Sequence, residues 1–427
     1  MKFNCGDIVK VLVPNVVNSG YDYRLRESAM VGQFAGVNVG PLKFVGVIVG
    51  PGDSGLPAEK IKSAMPIANY RLPAAAIAWI YKMADWTMMA PGAVLRLIVN
   101  VPEVFAPPKM EILYSFAGGG KITAARMAIA DAFDSNDNSP MTAADLRNIA
   151  RVSPSVINTM IKNGGLVRCD EKIKKHKSEI INYFDTGSVV LNAEQQAAAE
   201  EIVNPVNHPA AARHPSKGGE LRPNANASSP PLEGCPQGGV VYKYFQTFLL
   251  DGITGSGKTQ VYFDAALRAY LNGGNVLIML PEIALTAQFI NRFRDRFGAP
   301  PVVWHSNLTA ANRRDIWRGV AGGEIKIVIG TRSALFLPWQ KLDLIVVDEE
   351  HDGSYKQEDQ GIYNARDMAV LRAKIEDCPI VLASATPSFE TLKNAASGRY
   401  RHLRLTARFG GAVLPRIEIV DLRVKSR

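Results

Sequence analysis

Residues 252–259 read GITGSGKT, residues 344–351 read LIVVDEEH and residues 382–388 read LASATPS. The first string fits the phosphate-binding pattern G-x-x-x-x-G-K-[ST], with Gly252, Gly257, Lys258 and Thr259 in the required places. A chain of phosphates needs backbone N–H groups pointing inward, and a glycine-rich turn lets the backbone come that close. Lys258 then reaches the β/γ-phosphates and the Thr259 hydroxyl holds Mg²⁺. The flanks agree: residues 248–250 form a short apolar run that reads as a strand, and residues 261–271 alternate as an amphipathic helix.

The bulk composition sets the frame. The chain has 427 residues, enough for several domains, and 47% hydrophobic content supports real cores. A net charge of +9 favours a polyanionic partner such as nucleic acid over an acidic-substrate pocket. Cys5, Cys169, Cys235 and Cys378 lie far apart with no C-x-x-C pair, which argues against a disulfide framework and against a zinc module within these residues. The N-terminus MKFNCGDIVKV lacks the long apolar core of a signal peptide and no run of 18 apolar residues occurs, so a cytoplasmic protein without a membrane partner is expected.

Three regions separate along the chain. Residues 1–105 carry short β-like runs broken by Gly and Pro, with one clear helix over 74–85, and read as a small β-rich domain. Residues 106–185 include two short helices, over 143–150 with Thr142 as cap and over 155–163 after Ser153-Pro154, then a strand from Leu166. That order resembles a winged helix, whose second helix often enters a DNA groove; a helical linker is the plainer reading. Residues 186–427 alternate apolar runs at 248–250, 276–280, 302–304, 325–329, 344–347 and 380–383 with helical patterns. This is α/β alternation, implying βαβ units and a parallel sheet whose functional residues sit at the C-terminal strand ends. Within it, residues 204–240 are rich in Pro, Gly, Ser and Asn without apolar periodicity, and read as a disordered insertion.

The acids after the 344–347 strand suit metal and water work. Asp348 is assigned to Mg²⁺ and Glu349 to the attacking water, although paired acids after a strand also occur as helix caps. Ser384 and Thr386 follow the 380–383 strand, where hydroxyls can sense the phosphate site. Upstream, Gln195 in LNAEQ (191–195) can read an adenine edge through its amide, or serve with Asn192 as an ordinary capping box.

The ordered set LNAEQ, DGITGSGKT, LPEIALT (280–286), IGTRSALF (329–336), VVDEEH and LASATPS resembles the superfamily 2 helicases, and DEEHDGSYKQEDQGIYNARDMAVLRA (348–373) is similar to the PriA-type primosomal replication-restart helicases. The resemblance implies an α/β fold with a RecA-like parallel-sheet motor lobe, preceded by a small β-rich domain that binds a DNA 3′ end and by a winged-helix segment. It implies an ATP- and Mg²⁺-dependent 3′→5′ DNA helicase acting at stalled forks, with forked and single-stranded DNA, other primosome proteins and single-stranded-DNA-binding protein as partners. Gly252, Thr254, Gly255, Ser256, Gly257, Lys258 and Thr259 then grip the nucleotide, with Gln195 at the base. Asp348 and Glu349 serve metal and hydrolysis, and His351, Ser384 and Thr386 couple them to DNA. Pro281, Glu282, Thr286, Gly330, Thr331 and Arg332 match strand-contact motifs. Tyr355 and Lys356 open an aromatic-rich loop whose rings would stack on unpaired bases. In the N-terminal domain Tyr21, Asp22, Gly40 and Lys62 align with a pocket for a nascent 3′ end, Asp22 accepting from its hydroxyl.

Two departures accompany the match: residues 36–39 lack the basic residue usual before the pocket glycine, and Asn364 stands where histidine is common. The sequence closes on LPRIEIVDLRVKSR, where the resemblance implies a cysteine-rich zinc module and a second RecA-like lobe. Zinc is therefore expected for the family, with its cysteine ligands missing here. The expectation for the chain by itself is DNA binding, weak ATP binding and poor hydrolysis. The alternatives are a fork-DNA-binding fragment without turnover and another superfamily 2 DNA translocase.

Overall fold

The computed structural model describes residues 1–16, 20–53, 55, 57, 60–101, 103–106, 110–118, 123–173, 190–203, 245–359 and 361–407. The 204–240 segment, Cys235 and the closing LPRIEIVDLRVKSR lie outside the described residues. The chain divides into two compact units, one of residues 1–104 with 178–427 and one of residues 105–177.

The N-terminal runs alternate in burial and close into a five-stranded barrel. Its strands are β1 (Ile8–Leu12), β2 (Tyr21–Leu25), β3 (Gln33–Val39), β4 (Leu42–Pro51) and β5 (Ser63–Arg71), in the order β1-β2-β5-β3-β4. Val9, Val11, Tyr23, Leu25, Val37 and Ile48 point inward and fill it, as the period-2 alternation of half-buried strands requires. Two helices follow, α1 (Ala74–Thr87) and α2 (Pro91–Val99). The first was expected. The second begins in Ala90-Pro91-Gly92, which reads as a turn, yet Pro at the first helical position is compatible with a helix start because the N–H it lacks would be unpaired there.

Residues 105–177 form their own unit. Strands β6 (Met110–Phe116), β7 (Met141–Thr142) and β8 (Leu166–Ile173) make an antiparallel sheet in the order β8-β6-β7. Helices α3 (Ala124–Asp134), α4 (Ala143–Ala150) and α5 (Pro154–Lys162) pack with it around Ile129, Phe133, Leu146, Ile157, Met160 and Leu166. Thr142 and Asp145 close a reciprocal capping box at the start of α4.

The remainder of the first unit is a seven-stranded, wholly parallel sheet. After α6 (Ala193–Val203) come β9 (Thr247–Gly252), α7 (Lys258–Leu271), β10 (Val276–Met279), α8 (Ala287–Phe297), β11 (Val302–Trp304), α9 (Ala310–Ala321), β12 (Ile327–Gly330), β13 (Leu344–Asp348), α10 (Ala365–Glu376), β14 (Ile380–Ser384), α11 (Phe389–Ala396) and β15 (Arg401–Leu405). The order is β11-β12-β10-β13-β14-β9-β15, every neighbouring pair parallel. This is a RecA-like lobe. Its central strands are buried along their length, which is why they read as continuous apolar runs. Strand β15 escaped the sequence reading because it lies at the sheet edge: only Leu403 and Leu405 are buried, between charged neighbours.

Helices α1 and α2 fasten the barrel side of this unit to the sheet. Trp79 Nε1 donates to the Met368 carbonyl at 3.1 Å and Trp317 Nε1 to that of Ile98 at 2.8 Å. The Arg372 guanidinium lies 5.0 Å from the centre of the Trp79 ring and is ion-paired with Glu376 at 2.7 Å, both side chains almost fully buried. No helix among the described residues is long and apolar enough to cross a membrane.

Candidate nucleotide and nucleic-acid site

Strands β13, β14 and β9 are neighbours, and their C-terminal ends bring three distant strings together: Asp348 lies level with Ala383, and Asp251 with Ser384. The turn after β9 takes its shape from Gly255 and Gly257, at φ +84° and +87°, a region open to glycine at little cost. At Gly257 a side chain would also collide with the Gln195 amide. Lys258 is buried at the start of α7, and its Nζ donates to the Gly252 carbonyl at 2.6 Å. Burial pushes the Lys258 ammonium down, against the opposing pull of Glu349, Asp348 and Asp251. The Ser256 hydroxyl is buried inside the loop with no partner among the described residues. A lysine turned on its own loop, an unused hydroxyl and a helix N-terminus are the donor set that a polyphosphate with Mg²⁺ would engage, so these residues fit that cofactor.

Asp348 ends β13 and is nine-tenths buried. Its Oδ2 accepts from the Tyr262 hydroxyl at 2.8 Å and its Oδ1 from the Glu349 N–H at 3.1 Å. Burial raises its carboxyl to about 6, the Tyr262 bond pulling the other way. Glu349 follows at φ +46°, an uncommon backbone for a non-glycine residue, and its carboxylate lies 3.6 Å from His351 Nδ1. The same nitrogen is 2.8 Å from Ser384 Oγ, while Nε2 is 3.3 Å from Thr386 Oγ1. Glu349, His351, Ser384 and Thr386 thus form one connected polar chain across two strand ends. Together with Val190, Thr254, Lys258 and Thr259, Asp348 and Glu349 line a cleft of about 750 Å³.

Gln195 is fully buried. Its Oε1 accepts from Asn192 N at 3.0 Å, its own N–H returns to Asn192 Oδ1 at 2.9 Å, and its Nε2 donates to the Ser256 carbonyl at 2.8 Å. The capping box is therefore formed and the amide braces the phosphate loop from beneath; with no exposed surface and no place in the cleft wall, Gln195 does not present its amide to an adenine edge as the sequence suggested.

A second cavity, of about 300 Å³, opens beside the first site and is lined by Glu282, Thr331, Arg332, Asp352, Ser354 and Tyr355 among others. Thr286 caps α8 by accepting from Phe289 N at 3.2 Å, and Thr331 is buried. Arg332 Nη1 donates to the carbonyls of Ser354 and Lys356, which leaves the rest of its fork for another acceptor. Lys356 is exposed and pairs with Glu358 at 2.9 Å. Tyr355 corrects the reading of an exposed stacking ring. It is almost fully buried, and its single hydroxyl proton lies between two carbonyls, that of Asp348 at 2.7 Å and that of Met279 at 3.1 Å. A buried tyrosine satisfies its hydroxyl, and here the partners are the ends of β13 and β10, so the ring cannot lie on a base.

In the barrel, Tyr21 and Asp22 are consecutive on β2 and so face opposite sides. Tyr21 packs on the barrel core, whereas Asp22 Oδ1 is buried with no partner among the described residues. Lys62 Nζ reaches the Gly40 carbonyl at 3.5 Å. No hydrogen bond joins that pair to Asp22 in the described residues.

Sequence reasoning missed several members. Tyr262, which holds Asp348, sits four residues after Lys258 on the same helix face, a spacing that could have pointed to it. Glu350 is fully buried and gathers Arg366 Nη1, Ser388 and Thr391 at 2.7–3.1 Å; its place within a run of acids hid a structural role behind a catalytic motif.

The DEAD/DEAH box helicase family matches residues 240–395. Replication restart protein PriA of Rickettsia prowazekii is 52% identical over 174 residues, 41% of this chain and 27% of that protein. PriA of Bacillus subtilis is 33% identical over 285 residues, 67% of this chain and 31% of its own length. The chain carries the helicase lobe of the PriA family. PriA of Haemophilus influenzae is 44% identical over 179 residues, 42% of this chain and 24% of that protein. The chain therefore spans about a quarter to a third of the length of the PriA relatives it matches.

Proposed function

We propose that this chain is the ATP-binding, DNA-contacting part of a replication-restart helicase that acts on forks and moves 3′→5′. The observation that carries the reading is the convergence of Lys258, Asp348 and the His351–Ser384–Thr386 chain on three adjacent strand ends. Lys258 and the loop amides bind and orient phosphates, and Thr259 with Asp348 holds Mg²⁺, which supplies charge neutralisation at the phosphates when bound. Glu349 orients the attacking water and accepts its proton, and His351 passes the state of that carboxylate to Ser384 and Thr386.

DNA contact is assigned to Thr286, Thr331, Arg332 and Lys356 around the smaller cavity, where arginine suits a phosphate oxygen. Tyr355, joined by one hydroxyl to β10 and β13, links that cavity wall to Asp348. In the barrel, the unpartnered Asp22 Oδ1 supports a site for a 3′-hydroxyl, which would donate to it. In residues 105–177, exposed Arg147, Arg151 and Lys162 near α5 support a winged-helix contact with a duplex.

The test is fluorescence anisotropy with labelled forks that differ in whether the nascent strand presents a 3′-hydroxyl or a 3′-phosphate. Preference for the hydroxyl, abolished in Asp22→Ala, supports fork recognition. Equal affinity for forks and for linear duplex would leave only a general DNA-binding lobe.

A further inference from the structure

Helix α8 starts at its Thr286 cap among the strand-contact residues, and six residues on Arg292 lines the same cleft as the phosphate loop. Arg292 is exposed and has no hydrogen bond or ion pair among the described residues. The other two C-terminal arginines of α8 are engaged: Arg294 with Asn291 at 2.9 Å and Arg296 with Asp264 at 2.7 Å. Asp264 belongs to α7, so the second of these bonds ties α8 to the phosphate-loop helix. Phe293 and Phe297 stack at 3.9 Å and both meet the edge of Phe263, also on α7. The backbone that carries Arg292 is therefore fixed relative to the loop, and the cation is held ready without a partner.

Two further lining groups are unspent. Gln260, next after Thr259, has a buried Oε1 with no donor among the described residues. Val190, five residues before Gln195, is exposed and offers an apolar face. Lys258, Thr259, Asp348 and Glu349 already supply what phosphates and metal need. An apolar face, a bare acceptor and a planar cation are what a base and a ribose need: guanidinium groups stack on π-faces, and a ribose hydroxyl donates to a carbonyl oxygen.

We infer that Arg292 is the nucleoside contact of this site, its guanidinium lying on the base while Gln260 Oε1 accepts from a ribose hydroxyl. This rests on the nucleotide-binding reading above and adds a residue from the strand-contact helix to it.

The experiment compares calorimetric binding of Mg²⁺·ATP and of Mg²⁺·tripolyphosphate to the chain, to Arg292→Ala and to Arg292→Lys. Arg292→Ala weakens ATP by roughly 3- to 30-fold and leaves tripolyphosphate unchanged; Arg292→Lys, which keeps charge without the plane, restores only part of the loss. Equal weakening of both ligands would make Arg292 a phosphate contact and overturn the inference, as would no change in either. If the unsubstituted chain binds neither ligand, the nucleotide-site reading itself fails. Each variant's melting midpoint is read alongside; should the alanine variant not fold, Arg292→Lys carries the same comparison.

Discussion

Replacing Asp348 by Asn removes a carboxyl group that the fold holds nine-tenths buried while keeping an oxygen for the Tyr262 hydroxyl. Burial lifts this carboxyl from 3.8 to about 6. The folded chain then holds the proton more tightly than the unfolded chain, so stability falls as pH rises from about 4 through about 6 and levels above that. The gap of roughly 2 pH units corresponds to about 3 kcal/mol at neutral pH, and to about half of that at pH 5, where the group is only partly ionised when unfolded-state and folded-state titrations are combined. Asp348→Asn should therefore stabilise the metal-free chain by up to about 3 kcal/mol at pH 7.5, with the gain shrinking at pH 5. Urea denaturation at the two pH values, in chelator, reads this directly. Adding Mg²⁺ with nucleotide should raise the midpoint of the unsubstituted chain more than that of the variant, which keeps Lys258 and the loop but loses a metal ligand, since ligands stabilise only the state that binds them. A variant no more stable than its parent at pH 7.5, or a gain that grows towards pH 5, would refute the reasoning.

Other consequences can be checked by simple substitutions. Tyr355→Phe leaves the Met279 and Asp348 carbonyls without their donor and should cost about 1–2 kcal/mol in urea denaturation while leaving the affinity for single-stranded DNA unchanged, whereas a stacking ring would be insensitive to the hydroxyl. Arg372→Ala removes the cation from the Trp79 ring and leaves the buried Glu376 carboxylate with only the Leu342 N–H as donor among the described residues, and a loss of about 3–5 kcal/mol is expected by the same assay. Ser384→Ala cuts the 2.8 Å link to His351; ATP affinity should stay within about twofold while any DNA stimulation of turnover is lost, a split that steady-state kinetics resolves.

Much of the motor was legible because its strands are buried on both faces and carry almost no polar residues, so β9, β10, β13 and β14 stand out as apolar runs ending in the functional strings. The phosphate loop declared itself through its glycines, Gly255 and Gly257 holding a positive φ and Gly252 leaving room for Ser256. Strand β15 and helix α2 did not, the first because an edge strand tolerates charge and the second because its start mimics a turn. Within the site, sequence proximity misled where burial decides: Tyr355 reads as an exposed ring in a polar loop, yet its hydroxyl satisfies two strand ends. Glu350 sits beside two acids that line the cleft but turns the other way into Arg366 and Ser388. Spacing tells which residues share an element; it does not tell which of three consecutive acids the backbone turns inward, here set by the left-handed conformation of Glu349.

The central claim is that the turn after β9 grips a nucleoside polyphosphate through Lys258. Its most direct test is equilibrium binding of Mg²⁺·ATP to the chain and to Lys258→Ala, with melting curves to show that both fold. Saturable binding that falls by about 100-fold or more in the variant, as loss of a buried charge-assisted contact implies, is the expected result. Binding of equal strength in both proteins, or none in either, would contradict it.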